Sequence, residues 1–153
     1  MIALIQRVCS AQVVVEGKTI SEIGPGMLLL LGIGHDDSQE DIEYIARKTV
    51  HLRIFSDSQG NLNHSLLDTG GEILIVSQFT LLADTKKGRR PSFSNAAPPQ
   101  IAEPLYRMTL KTFRRYGISV GEGVFGAKME VSLINDGPVT VIINSREQKL
   151  TQG

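Results

Sequence analysis

Five consecutive apolar residues, Met27-Leu28-Leu29-Leu30-Leu31, follow the chain break Gly24-Pro25-Gly26. A strand with one wet face alternates apolar and polar positions, so a short unbroken run marks a strand covered on both faces. Ile73–Val76 is a second such run. Both belong inside a layered fold, with structure packed on each side of a sheet.

The rest of the chain supplies the layers. Ile2–Val8 alternates, and Ala11–Val15 is β-branched before the turn signal Glu16-Gly17-Lys18, so these read as a hairpin. Ser38 with Asp41 three residues on offers an N-cap, and Ile42, Ile45, Ala46, Thr49 and Leu52 fall on one stripe of a helix over about Gln39–Arg53. Asp57–Asn61 is a turn. Asp84–Pro99 has no period and reads as a long loop, a feature usually functional or mobile in a compact domain. A second helix is expected over about Pro99–Tyr116, with Ala102, Leu105, Tyr106, Thr109 and Phe113 on one face and Gly117 as its stop. Two last strands, about Met129–Ile134 and Val139–Ile143, flank Asn135-Asp136-Gly137-Pro138. The polar end from residue 145 is expected to fray. Several strands with two main helices make one α/β or α+β domain on a curved sheet.

Composition narrows the function classes. The 153 residues suit one domain, and 41% hydrophobic against 21% charged residues excludes a disordered or collagen-like chain. Sixteen Lys and Arg balance sixteen Asp and Glu, which argues against a globally basic nucleic-acid binder. The lone Cys9 makes no internal disulfide and reads as a small core residue. Arg7 interrupts any apolar leader, and Met27–Ile33 is too short to span a bilayer, so a soluble cytosolic protein is expected.

Most catalytic constellations are missing. His35, His51 and His64 are scattered, there is no HExxH, and no Cys/His spacing suggests zinc, so no metal site is expected. Gly121-Glu122-Gly123-Val124-Phe125-Gly126 matches GxGxxG but leads into a strand pattern, without the helix that a dinucleotide site requires. Asn63-His64-Ser65 fits a glycosylation sequon and reads as chance.

Three features remain. Lys86-Lys87-Gly88-Arg89-Arg90 puts four cations into five residues on the long loop. Beside Arg107, Lys111, Arg114 and Arg115 of the second helix it makes either a phosphate-binding surface or an ordinary solvated one. The acids Asp36, Asp37, Glu40, Asp41 and Glu43 offset it near the first helix. Ser77-Gln78-Phe79-Thr80 ends a buried strand, where open sheets often bind ligands, although small hydroxyls there also simply satisfy backbone groups. Gly137-Pro138 lies between two strands and reads on its own as a tight turn.

Together and in this order, the stretches LIQRV at 4–8, LRIF at 52–55, GGEILIVSQFTLLADTKKGRRPSF at 70–93, AEPLY at 102–106, FGAKM at 125–129 and VSLINDGPVTVII at 131–143 resemble the D-aminoacyl-tRNA deacylase family. The resemblance implies a deacylase domain over residues 1–145 and a polar tail over 146–153. It implies a barrel-like α/β fold, a homodimer with active sites at its interface, and hydrolysis of the ester joining a D-amino acid to the 3′ end of tRNA. Removal of glycine from mischarged tRNA is implied as well. No cofactor, DNA or membrane partner is expected. By the same resemblance, Ser77, Gln78, Phe79 and Thr80 form the wall around the scissile ester. Gly137 and Pro138 form a cis peptide reaching into the partner subunit's pocket to exclude L-side chains, with Arg7 holding that motif. Phe125 and Met129 hold the terminal adenine, Ala102 lines the same pocket, and the Lys86, Lys87, Arg89 and Arg90 loop meets tRNA phosphates. A non-catalytic tRNA-binding dimer and a small-molecule esterase are the competing readings.

Overall fold

The computed structural model describes residues 1–150, with side chains described as far as Gln148. Strand β1 (Ile2–Val15) organises the sheet. Its first half runs antiparallel to β3 (Gly26–Gly32), from Ile2 opposite Gly32 to Val8 opposite Gly26. Its second half pairs with β2 (Lys18–Ile23) across the turn at Glu16 and Gly17. The two apolar stretches of β1 are therefore one strand, and β2 is the second arm of the hairpin. Strand β6 (Glu72–Ser77) lies parallel to β3, and β7 (Val120–Glu122) lies parallel to β6. The last strand, β8 (Glu130–Asn144), runs antiparallel along the other side of β1.

The order is β2-β1-β3-β6-β7, with β8 added on β1. The sheet curls until its ends approach, and Gly121 of β7 lies against Ser21 and Ile23 of β2. A nearly closed barrel results. The two apolar runs show why it must be covered twice. Met27, Leu29, Leu31, Ile73 and Ile75 face one core with the helices, whereas Leu28, Leu74 and Val76 face a second core inside the curl. Complete burial of each such side chain contributes about 1.5–3 kcal/mol.

Helix α1 (Gln39–His51) starts where expected because Ser38 and Asp41 make a reciprocal capping box. Ile42, Ile45, Ala46, Thr49 and Val50 are its buried face, and Leu52 turns extended to end it. A small hairpin, β4 (Phe55–Ser56) with β5 (Leu62–His64), and the one-turn helix α2 (Leu66–Thr69) lead into β6. Helix α3 (Pro99–Arg114) then carries the chain to β7, buries Tyr106, Leu110 and Phe113, and is closed by Gly117 at φ 77°.

Three local expectations change. Cys9 is exposed, because the β1–β8 pairing shifts register on both sides of Val8, so Val8 takes the buried position and Cys9 turns outward. The two expected C-terminal strands are one strand, β8, bent by an internal bulge at Asn135–Pro138 instead of a turn. The chain after residue 144 does not fray at once, since Ser145–Leu150 forms helix α4. The Ser145 hydroxyl donates to Asp41 at 2.6 Å and accepts from the α-ammonium of Met1 at 2.9 Å, while that ammonium also meets Asp37 at 2.6 Å. Two acids of the 36–43 stretch are thus turned inward. The remainder of the expected tail, 151–153, lies outside the described residues.

Candidate active site

Parallel strands β3 and β6 end on the same edge, and a cavity of about 590 Å³ opens there. Leu31, Ile33 and Val76 form its floor. Ser77, Gln78 and Phe79 form one wall, Phe125 and Met129 another, and Ala102 of α3 closes it from the helix side. Six of the expected site residues, drawn from three distant segments, meet in this one place.

The wall at 77–79 follows from how β6 stops. The Gln78 N–H donates to Leu31 O at 2.8 Å, one step beyond the ladder, and the chain then winds into a 3₁₀ turn over Phe79–Leu82. That turn packs on Gly32, where a side chain would collide with Leu82 and press on Leu81. The N–H groups of Phe79 and Thr80 head the turn and have no acceptor within it. The Gln78 side-chain amide donates to the Thr80 hydroxyl. Thr80 is exposed and does not line the cavity, and among the described residues no His or carboxylate is bonded to it.

The opposite wall is set by a residue that sequence reasoning placed only on a buried helix face. The Tyr106 hydroxyl donates to Ile75 O at 2.7 Å and accepts from the Gly123 N–H at 3.2 Å, tying α3 and the segment after β7 to β6. Burial pushes its pKa up to about 12. Its ring lies against Phe125, with centroids 5.9 Å apart. The Val124 N–H points at Met129 Sδ, 3.4 Å away. A tyrosine among aliphatic helix positions is the available signal, since a buried hydroxyl needs partners. Phe93 is an aromatic lining residue that sequence reasoning also left unassigned, and it enters the cavity from the end of the long loop.

Gly137 and Pro138 are elsewhere. They are exposed at the bulge of β8, do not line this cavity, and are joined by a cis peptide. The bulge is braced from both sides. The Val139 N–H donates to Asn135 Oδ1 at 2.8 Å, and Arg7 Nε donates to Asp136 O at 2.7 Å. Buried Arg7 also donates to Ile54 O at 2.7 Å. A side chain on Gly137 would sit 2.5 Å from Val139 N, so the backbone there admits only glycine.

The cationic loop is closed at its base by paired backbone bonds between Asp84 and Ser92, at 2.8 and 2.9 Å. Lys86, Lys87, Arg89 and Arg90 project from it and are exposed. The helix cations do not extend this surface as freely. Arg107, Arg114 and Arg115 are paired with Glu103, Glu122 and Glu43 at 2.8, 2.7 and 2.6 Å. Positive charge is concentrated on the loop itself.

Residues 4–144 match the family described as D-Tyr-tRNA(Tyr) deacylase. The chain belongs to this deacylase family. A relative named D-aminoacyl-tRNA deacylase from Thermosipho africanus is 55% identical over 147 residues, covering 96% of this chain and 99% of that protein. Another of that name from Thermodesulfovibrio yellowstonii is 58% identical over 146 residues, covering 95% and 100%. Among solved structures, one titled c-Myc DNA Unwinding Element Binding Protein superposes with a TM-score of 0.88 at 42% identity, covering 94% of this chain and 98% of that one. A probable eukaryotic D-amino acid tRNA deacylase shares the fold, with a TM-score of 0.79 at 18% identity over 93% and 97% of the chains. The family is one of ester-bond hydrolases. No helix among the described residues is long and apolar enough to cross a membrane.

Proposed function

We propose that this chain hydrolyses the ester of D-aminoacyl-tRNA, releasing the free D-amino acid and tRNA, and acts likewise on glycine carried by the wrong tRNA. The observation that carries the reading is the convergence of Ser77, Gln78 and Phe79 with Phe125, Met129 and Ala102 around one cavity, in a member of a deacylase family. The terminal adenine is sandwiched by Phe125 and Met129, a flat ring and a polarizable thioether suited to a purine. The ester carbonyl then lies along the Ser77–Phe79 wall, where the N–H group of Phe79 at the head of the turn is available to the developing oxyanion.

An aminoacyl ester is already activated and sits beside a ribose hydroxyl. Orientation and oxyanion stabilisation supply much of what is needed, so a strong side-chain base is not required. Water adds to the carbonyl, the bond to the ribose oxygen breaks, and that oxygen leaves as the 3′-hydroxyl. The tRNA 2′-hydroxyl assists in preference to Thr80, whose hydroxyl is engaged by Gln78 outside the cavity.

Selectivity is assigned to a second copy. In a homodimer, Gly137 and Pro138 of one protomer enter the other's cavity and their main chain blocks L-side chains, while Arg7 steadies the motif through Asp136 O. A main-chain wall rejects by shape whatever the side chain, so one enzyme serves many D-amino acids. Lys86, Lys87, Arg89 and Arg90 grip tRNA phosphates, and the protein works in the cytosol. The exposed loop also favours a second reading, a tRNA-binding dimer without turnover. Incubation with D-Tyr-tRNA separates them: release of D-tyrosine supports the deacylase, and salt-sensitive binding without release supports the other.

A further inference from the structure

The cavity mouth holds an aromatic pair whose placement the adenine site does not explain. Phe79 heads the 3₁₀ turn with 57% of its surface exposed. Its ring meets that of Phe93 edge to face, centroids 5.0 Å apart and planes at 74°. Both rings line the cavity, yet they come from different segments. Phe93 is held on each side by backbone bonds: Ser92 pairs with Asp84, the Ala96 N–H donates to Phe93 O at 3.0 Å, and the Ala97 N–H donates to Ile33 O at 2.9 Å. His35 Nε2 bonds Ser94 O at 2.8 Å. The ring stands on a fixed platform.

Immediately before it run Lys86, Lys87, Arg89 and Arg90, and no acid occurs between Asp84 and Glu103. Gly88 at the loop tip is four residue steps from both Asp84 and Ser92, so the backbone of the four cations lies within about 14 Å of that bridge. Aromatic faces beside concentrated cations are what single-stranded nucleic acid requires, bases on the rings and phosphates on the charges.

We propose that Phe79 and Phe93 form a stacking subsite for the nucleotide next to the terminal adenosine, with the Lys86–Arg90 loop on its phosphates. The inference rests on the deacylase reading, which puts the terminal adenine deeper, between Phe125 and Met129. It has a consequence that the adenine site lacks. A substrate of one nucleoside cannot use the step, and a trinucleotide can.

Phe93→Ala and Phe93→Trp test it, with kcat/KM measured on D-tyrosyl esters of adenosine, of a trinucleotide ending in adenosine, and of tRNA. Equilibrium binding of uncharged adenosine monophosphate and trinucleotide is measured alongside. The preference for trinucleotide over adenosine should fall about tenfold or more in Phe93→Ala, both in turnover and in binding, and return in Phe93→Trp. Equal losses on all substrates would make Phe93 only a cavity wall and overturn the proposal, as would no loss at all. A change of association state by sedimentation that accounts for the loss would assign the aromatic step to a second copy instead. If Phe93→Ala does not fold, Phe93→Leu keeps the bulk without the π face and carries the same expectation. If the unmodified protein hydrolyses none of the esters, the deacylase reading fails, while the binding ratio still decides the subsite.

Discussion

Tyr106, legible in the sequence only as part of a buried helix face, ties three segments around the cavity together. One hydroxyl bridges Ile75 O and the Gly123 N–H, and one ring supports Phe125. Its raised pKa has a definite sign. The folded state holds the phenolic proton more tightly than the unfolded chain, so this stabilisation is complete below pH 10 and is lost as pH rises from 10 toward 12. The group should cost about 1 kcal/mol of stability per pH unit across that window. Denaturant titrations at pH 9 and pH 11 check this: the unmodified protein should lose more stability between them than Tyr106→Phe, and equal losses would contradict the assignment. At Thr80 the expectation concerns chemistry. Thr80→Ala should keep kcat within about tenfold, because the hydroxyl lies outside the cavity, whereas removal of a true nucleophile costs about 10⁴-fold or more. Single-turnover hydrolysis of D-Tyr-tRNA distinguishes the two.

Among the elements, β8 departs furthest from its sequence pattern. Residues 129–134 and 139–143 each read as a strand, and the Gly-Pro between them reads as a turn. The pairing with β1 joins them, and the Asn135 amide, which bonds both the N–H and the carbonyl of Val139, absorbs the interruption as a bulge. No local propensity announces that, because the partner strand lies more than a hundred residues away. Cys9 was misplaced for the same reason, since a register shift between distant strands inverted its facing. The elements that were legible carry their own signals: the Ser38–Asp41 cap of α1, Gly117 after α3, and the unbroken apolar runs of β3 and β6. Among the described residues β8 pairs with β1 alone, and it leaves 61% of Ile134 and 65% of Ile142 exposed. A long strand edge that carries two exposed isoleucines invites a partner. Sedimentation should give twice the mass of one chain, and Ile134→Lys with Ile142→Lys should shift it to the monomer with loss of D-Tyr-tRNA hydrolysis. A protein that is monomeric from the start would remove the dimer from the account.

At the scale of the whole molecule, the zero net charge is a sum of unlike parts. The basic loop at 86–90 is exposed, while Asp37 and Asp41 of the acidic stretch are turned inward to the α-ammonium and Ser145. Neutral composition therefore coexists with a concentrated positive surface near the cavity. The cavity itself is a tertiary object, assembled from residues near positions 31, 77, 93, 102 and 125–131, and periodicity within any one segment could not reveal it. Motif resemblance located six residues of its lining, Ser77, Gln78, Phe79, Ala102, Phe125 and Met129; the place of Phe93 in it and the bridging role of the Tyr106 hydroxyl emerged only with the fold. The central claim is that this architecture hydrolyses D-aminoacyl-tRNA and rejects the mirror-image substrate. Parallel time courses on D-Tyr-tRNA and L-Tyr-tRNA at one enzyme concentration measure it most directly. The account predicts rapid loss of the D-ester, with the L-ester decaying at its spontaneous rate; equal hydrolysis of the two, or hydrolysis of neither, would contradict it.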